Sequence, residues 1–121
     1  MRDHTKLRAF ELADGLALEV YRLTGSIPRQ EQFGLTSQLR RAAVSCASNI
    51  VEGCARKGEA DYVHFLDVSY GSAREVSYQL SLARRLGLLP DREACARVEA
   101  LATETGKVLN GLIRALRERA E

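Results

Sequence analysis

The stretch Gln38-Leu39-Arg40-Arg41-Ala42-Ala43-Val44-Ser45-Cys46-Ala47-Ser48-Asn49-Ile50-Val51-Glu52-Gly53 interleaves two rows of side chains. Leu39, Ala42, Ala43, Cys46, Ile50 and Gly53 recur at steps of three and four, the spacing of one face of an α-helix. Arg41, Ser45, Asn49 and Glu52 stand at i, i+4, i+8 and i+11, so four polar side chains share a second face. Ala42, Ala43, Ala47 and Ser48 keep this region small, whereas a solvated face ordinarily carries long charged side chains. The stretch predicts a helix over about 33–56 with one side buried and a polar row beside it.

The same periodicity extends outward in both directions. Upstream, Phe10, Ala13, Leu16, Val20 and Leu23 form one stripe, predicting a helix over about 6–24 with Thr5 as its N-cap. Thr24-Gly25-Ser26-Ile27-Pro28 breaks it. Downstream, Tyr62, Leu66, Ser69, Ala73, Val76, Leu80 and Ala83 alternate steps of four and three, predicting a helix over about 59–86 with a heptad-like seam. Gly87 and Pro90 bracket the next turn. Val98, Leu101, Thr105, Val108, Leu112 and Ala115 continue the alternation over about 91–119, with Gly106 and Gly111 inside the helix. Four helices joined by short connections favour antiparallel neighbours. The expected fold is all-α: an antiparallel up-down-up-down four-helix bundle, with residues 1–121 as a single domain.

Composition agrees. The chain is 121 residues long, 45% hydrophobic and 28% charged, which excludes a disordered or membrane-embedded class. Two prolines and 6% aromatics argue against a sheet-rich fold. No run approaches the ~18–20 apolar residues of a membrane helix. Met1-Arg2-Asp3-His4-Thr5 lacks the apolar core of a signal peptide, so the expected location is cytoplasmic. Cys46, Cys54 and Cys95 are too few and too widely spaced for a disulfide framework, and read as small buried residues. His4 and His64 are isolated, no metal-ligand spacing is present, and no cofactor is expected.

The polar row has a partner on the third helix in Ser69, Ser72, Glu75 and Gln79. Glu75 is placed to accept Arg41, and Asn49 and Glu52 to meet Ser69 or Ser72. Arg41, Ser45, Asn49, Glu52, Ser72 and Glu75 therefore read as a buried polar network that fixes register between the two helices. The competing reading, a ligand or catalytic site, lacks a nucleophile beside a base, because no histidine neighbours Ser45 in sequence.

Residues 38–45 followed by Ser48-Asn49-Ile50-Val51-Glu52-Gly53 closely resemble the signature of the 23S rRNA intervening-sequence protein family, the four-helix bundle proteins. Ile27-Pro28 with Glu31, Phe33, Gly34 and Leu35 resembles the family's approach to its second helix, and Arg56 the arginine after its Glu-Gly. Phe65-Leu66, Gly71-Ser72, Glu75 and Gln79-Leu80 resemble its third helix, so the likeness runs from Leu7 to about Leu89. Val51, Cys46 and Gly58 depart from the usual alanine, isoleucine and Ser/Thr cap. The resemblance implies a bundle that assembles as a homopentameric ring. It also implies kinship with the accessory variability determinants of diversity-generating retroelements, whose pentamer binds RNA and a reverse transcriptase.

Eighteen basic against sixteen acidic side chains leave +2, too little to demand a nucleic acid, although a ring multiplies it. Fifteen of the cations are arginines, in clusters such as Arg40 with Arg41, Arg56 with Lys57, Arg84 with Arg85, and Arg114, Arg117 and Arg119. With Arg41 assigned to the interior, Arg56, Lys57, Arg84 and Arg85 are the candidate contacts to RNA or DNA. The expectation is a non-enzymatic oligomeric accessory protein that binds nucleic acid weakly. The alternative is an interaction scaffold for a protein partner. Leu12, Tyr21, Val63, Val68, Tyr78 and Leu82, which lie off the main stripes, suit a second buried face in either case.

Overall fold

The computed structural model describes residues 2–120. Four helices carry the chain: α1 (Arg8–Thr24), α2 (Leu35–Cys54), α3 (Glu59–Arg85) and α4 (Arg92–Ala120), with 3-10 turns at His4–Lys6 and Arg29–Glu31. There is no strand among the described residues.

The helix ends follow local chemistry. Asp3, not Thr5, caps the N-terminal turn: its carboxylate accepts the Thr5 N–H at 3.0 Å, and α1 starts only at Arg8. α2 starts at Leu35 after Gly34, two residues later than the stripe predicts, and leaves Phe33 90% exposed. α3 ends in a Schellman motif. Gly87 adopts φ +75°, the Leu88 N–H reaches Ala83 O at 2.9 Å, and the Gly87 N–H reaches Arg84 O at 3.0 Å.

Consecutive helices run in opposite senses. Arg41 of α2 meets Glu75 of α3, Ser45 meets Ser72, and Gly53 faces Tyr62. Arg84 pairs with Glu99 and Asp67 with Arg117 across α3 and α4. Arg8 pairs with Glu104 and Glu19 with Arg97, so α4 closes back on α1. At the end of α1, Arg40 donates to Thr24 Oγ1 at 2.9 Å and stacks 4.5 Å from the Tyr21 ring centroid. A cation at a helix C-terminus also suits the helix dipole.

The core has two layers. Leu16, Val20, Leu39, Val76, Leu80 and Val98 dominate one; Ile50, Tyr62, Leu66, Leu109 and Ile113 dominate the other. Each large side chain removed from water contributes about 1.5–3 kcal/mol. The α3 seam lies where the periodicity places it, all seven positions from Tyr62 to Ala83 being buried.

The α4 stripe does not. Val98 and Thr105 are buried, but Leu101, Val108 and Leu112 are only half-buried and Ala115 is exposed. Ala102, Leu109, Ile113 and Leu116 face the core instead, each one residue later. α4 carries two adjacent apolar rows that share Val98 and Thr105. The row of Ala102, Leu109, Ile113 and Leu116 turns inward, with Gly106 buried beside it near Tyr70, and Leu101, Val108 and Leu112 lie on the flank.

Candidate functional site

The seam between α2 and α3 starts from small residues. Gly53 lets the helices touch: a Cβ there would lie 2.9 Å from Phe65 Cβ and 3.3 Å from both Tyr62 Cδ1 and Tyr62 O. Further along, the Ser69 hydroxyl donates to Cys46 O at 2.6 Å and lies 3.5 Å from Cys46 Sγ. Burial pushes the Cys46 thiol up to about 11, so it stays protonated near neutrality. Ser45 Oγ and Ser72 Oγ are 2.9 Å apart, and Asn49 Nδ2 donates to Ser45 O at 2.8 Å and to its Oγ at 3.0 Å. These hydroxyls are tied to each other and to an amide.

Arg41 ion-pairs with Glu75, as its spacing suggests, and also donates to Gln38 Oε1 at 3.0 Å. Glu75 accepts Gln79 Nε2 at 3.2 Å, whereas the buried Gln79 Oε1 has no partner. The pair is not interior, however: the Arg41 side chain is 54% and the Glu75 side chain 38% exposed. Breaking a buried pair costs about 3–5 kcal/mol. An exposed one contributes about 0–1 kcal/mol, the figure that applies to this chain. Glu52 departs further from expectation. It is exposed and pairs with Arg56 one turn on, meeting neither Ser69 nor Ser72. The buried part of the predicted network is thus Ser72 with its neighbour Ser69; Ser45 and Asn49 are half-buried.

The four candidate nucleic-acid contacts fall into two separate pairs. Arg56 and Lys57 follow α2, and Arg84 and Arg85 end α3, so the whole of that 27-residue helix, about 40 Å, divides them. Arg56 holds Glu52 and lies 4.8 Å from the Phe65 ring centroid. Arg84 donates to Glu99 at 3.0 Å, and this hydrogen bond pushes its pKa up. Arg85 folds back on Ser81, with Nε 3.1 Å from Oγ. Lys57 alone of the four has no partner among the described residues. Sequence reading passed over Arg74 of α3 and Lys107 of α4. Both stand alone in sequence, and only the packing of their helices brings them to one groove.

His64 is exposed, and its ring meets Phe65 edge-on at 5.4 Å. All three cysteines are free and buried, and no group of His, Cys, Asp or Glu suited to a metal occurs among the described residues. Among the described residues no helix is long and apolar enough to cross a membrane.

An all-α protein of four helices with a polar seam between its second and third is the class these features define. The sequence profile of the family described as 23S rRNA-intervening sequence protein matches residues 5–111, and the chain belongs to that family. A crystal structure of a protein of unknown function from the S23 ribosomal protein family of Bacteroides thetaiotaomicron VPI-5482 superposes with a TM-score of 0.79. It is 24% identical, over 87% of this chain and 97% of that one, a likeness of fold. Among curated proteins none matches the chain.

Proposed function

We propose that this chain is a non-enzymatic, homo-oligomeric RNA-binding accessory protein of the cytoplasm, a pentamer on the pattern implied by the family resemblance. Membership of a family named for an insertion in 23S rRNA is the observation that carries the reading. The basic side chains support it. Lys57 is an unencumbered contact, while Arg56, Arg84 and Arg85 would exchange their present partners for phosphate. The seam hydroxyls, bonded to each other and to an amide, favour a structural over a catalytic role. Buried free thiols suit a reducing compartment.

The test is binding to structured RNA, single-stranded RNA and duplex DNA at about 50 and 200 mM salt, on material of known mass by light scattering. The expected result is preference for RNA with a steep loss of affinity as salt rises. No binding by an assembled protein at the lower salt would remove the RNA reading. The second reading, a scaffold for a protein partner, would then lead. It is favoured by the outer side of α2, where exposed Val44, Ser48 and Val51 present no charge.

A further inference from the structure

Nine of the fifteen arginines pair with an acid among the described residues. Arg41 has Glu75, Arg117 has Asp67, Arg84 has Glu99 and Arg8 has Glu104. These four carboxylates are the acids of α3 and α4 that lie nearest the middle of the bundle, and each is committed elsewhere. Arg74 and Lys107 are among the cations without an ion-pair partner in the described residues; both are exposed, and packing brings them to the same place.

The two cations line one groove of about 280 Å³ between α3 and α4. Its floor is low because Ala102 and Gly106 lie there; the nearest atom to a Cβ on Gly106 would be Tyr70 Cε1, at 3.8 Å. The remaining lining is Tyr70, Ser77, Thr103 and Asn110: three hydroxyls and an amide, with no carboxylate. Two uncompensated cations beside neutral donors have the chemistry that suits phosphate oxygens. Asn110 lies three residues beyond Lys107 on the exposed side of α4, and Arg114 four beyond that, so the basic track continues along the helix.

We propose that this α3–α4 groove is a further site for the phosphate backbone of RNA, with Arg74 and Lys107 as the charged contacts within it. The proposal rests on the RNA reading above and gives it a place. With one half-buried aromatic ring, the groove offers no stacking platform for successive bases. It therefore reads the backbone and tolerates different sequences. Arg74 is the bidentate partner and Lys107 the point charge.

The test compares the full chain with Arg74→Ser/Lys107→Ser and with Arg29→Ser/Arg92→Ser, a control that removes equal charge from exposed, unpaired positions elsewhere. A labelled single-stranded RNA is the probe. The groove variant is expected to bind at least about tenfold more weakly, with a log–log salt slope flatter by about 1.4, the value for two lost phosphate contacts. The control should stay within about twofold. A second readout needs no variant: bound RNA should shield Lys107 of the parent from amine acylation, whether or not Lys57 is shielded as well. Parent-like binding by the groove variant, or protection of Lys57 in place of Lys107, overturns the groove and leaves the RNA reading standing. A parent that binds no RNA overturns both.

Discussion

Cys46 shows how far one residue's environment reaches. Its thiol lies in the core layer of Ile50 and Leu66, beside Ser69, and burial pushes its pKa from 9.0 to about 11. The unfolded thiol loses its proton from about pH 9, while the folded thiol keeps it to about 11, so the unfolded state binds fewer protons in that window. Stability should be unaffected by this group below pH 9 and fall by about 2–3 kcal/mol as pH rises to 11. Cys46→Ala should flatten that fall in urea titrations across the window. Tyr62, pushed by burial to about 12, and Cys54, also pushed up by burial, leave a residual slope of the same sign. An unchanged slope in Cys46→Ala would show that the thiol is not buried as described. Burial of this cysteine was legible from its place in the apolar row. The depth of Arg41 was not. Helical spacing tells which side of α2 a residue occupies and which residue opposes it. It does not tell how far the neighbouring helix covers the pair.

Among elements, the contact of α2 with α3 is set by Gly53. A Cβ there meets Phe65 Cβ and the Tyr62 backbone, neither of which is the free end of a flexible side chain. Gly53→Ala should therefore cost about 1–3 kcal/mol by forcing the helices apart. Gly111 of α4 has nothing within 4 Å of the same added atom and is exposed. Gly111→Ala should stabilise by up to about 1 kcal/mol, the difference in helix propensity. Chemical denaturation of both variants measures the contrast, and equal effects would contradict the packing. Both glycines sit inside sequences of good helical period, so only the structure separates the one that packs from the one that is merely tolerated. The α4 error has a related cause. With Leu101, Val108 and Leu112 on one row and Ala102, Leu109 and Ile113 on the next, period alone leaves a rotation of one residue undecided. Burial of Ala102, Leu109 and Ile113 against α1 and α3 in the folded bundle settles it. The seam of α3 had no rival row and was read correctly throughout.

For the whole molecule, the question is what covers the outside of α2. From Ala42 to Val51 that helix has no charged residue, and Val44 and Val51 remain 41% and 38% exposed. Val44 adjoins Ser45, and Val68, 39% exposed, lies one turn from Ser72, so apolar residues flank the polar seam on both helices. A side lined by valine, serine and alanine has little reason to avoid charge if it faces water. As a contact between copies it suits close packing without unpaired charge. In that arrangement the half-exposed Arg41 and Glu75 lie at the border, where a neighbouring copy would add partners. The groove holding Arg74 and Lys107 opens between α3 and α4, so a contact made through α2 would leave it accessible. Val44→Glu/Val51→Glu should therefore lower the mass in light scattering to that of one 13.4 kDa chain. Helicity should be kept, because neither side chain belongs to the core layers. Leu18→Glu, at a 52% exposed position of α1, should leave the assembly intact. Dissociated Val44→Glu/Val51→Glu should bind RNA more weakly through lost multivalency while Lys107 remains protected at saturating RNA. If the double glutamate variant keeps the parent's mass, α2 does not form the contact, and its uncharged side is left for a different protein to cover.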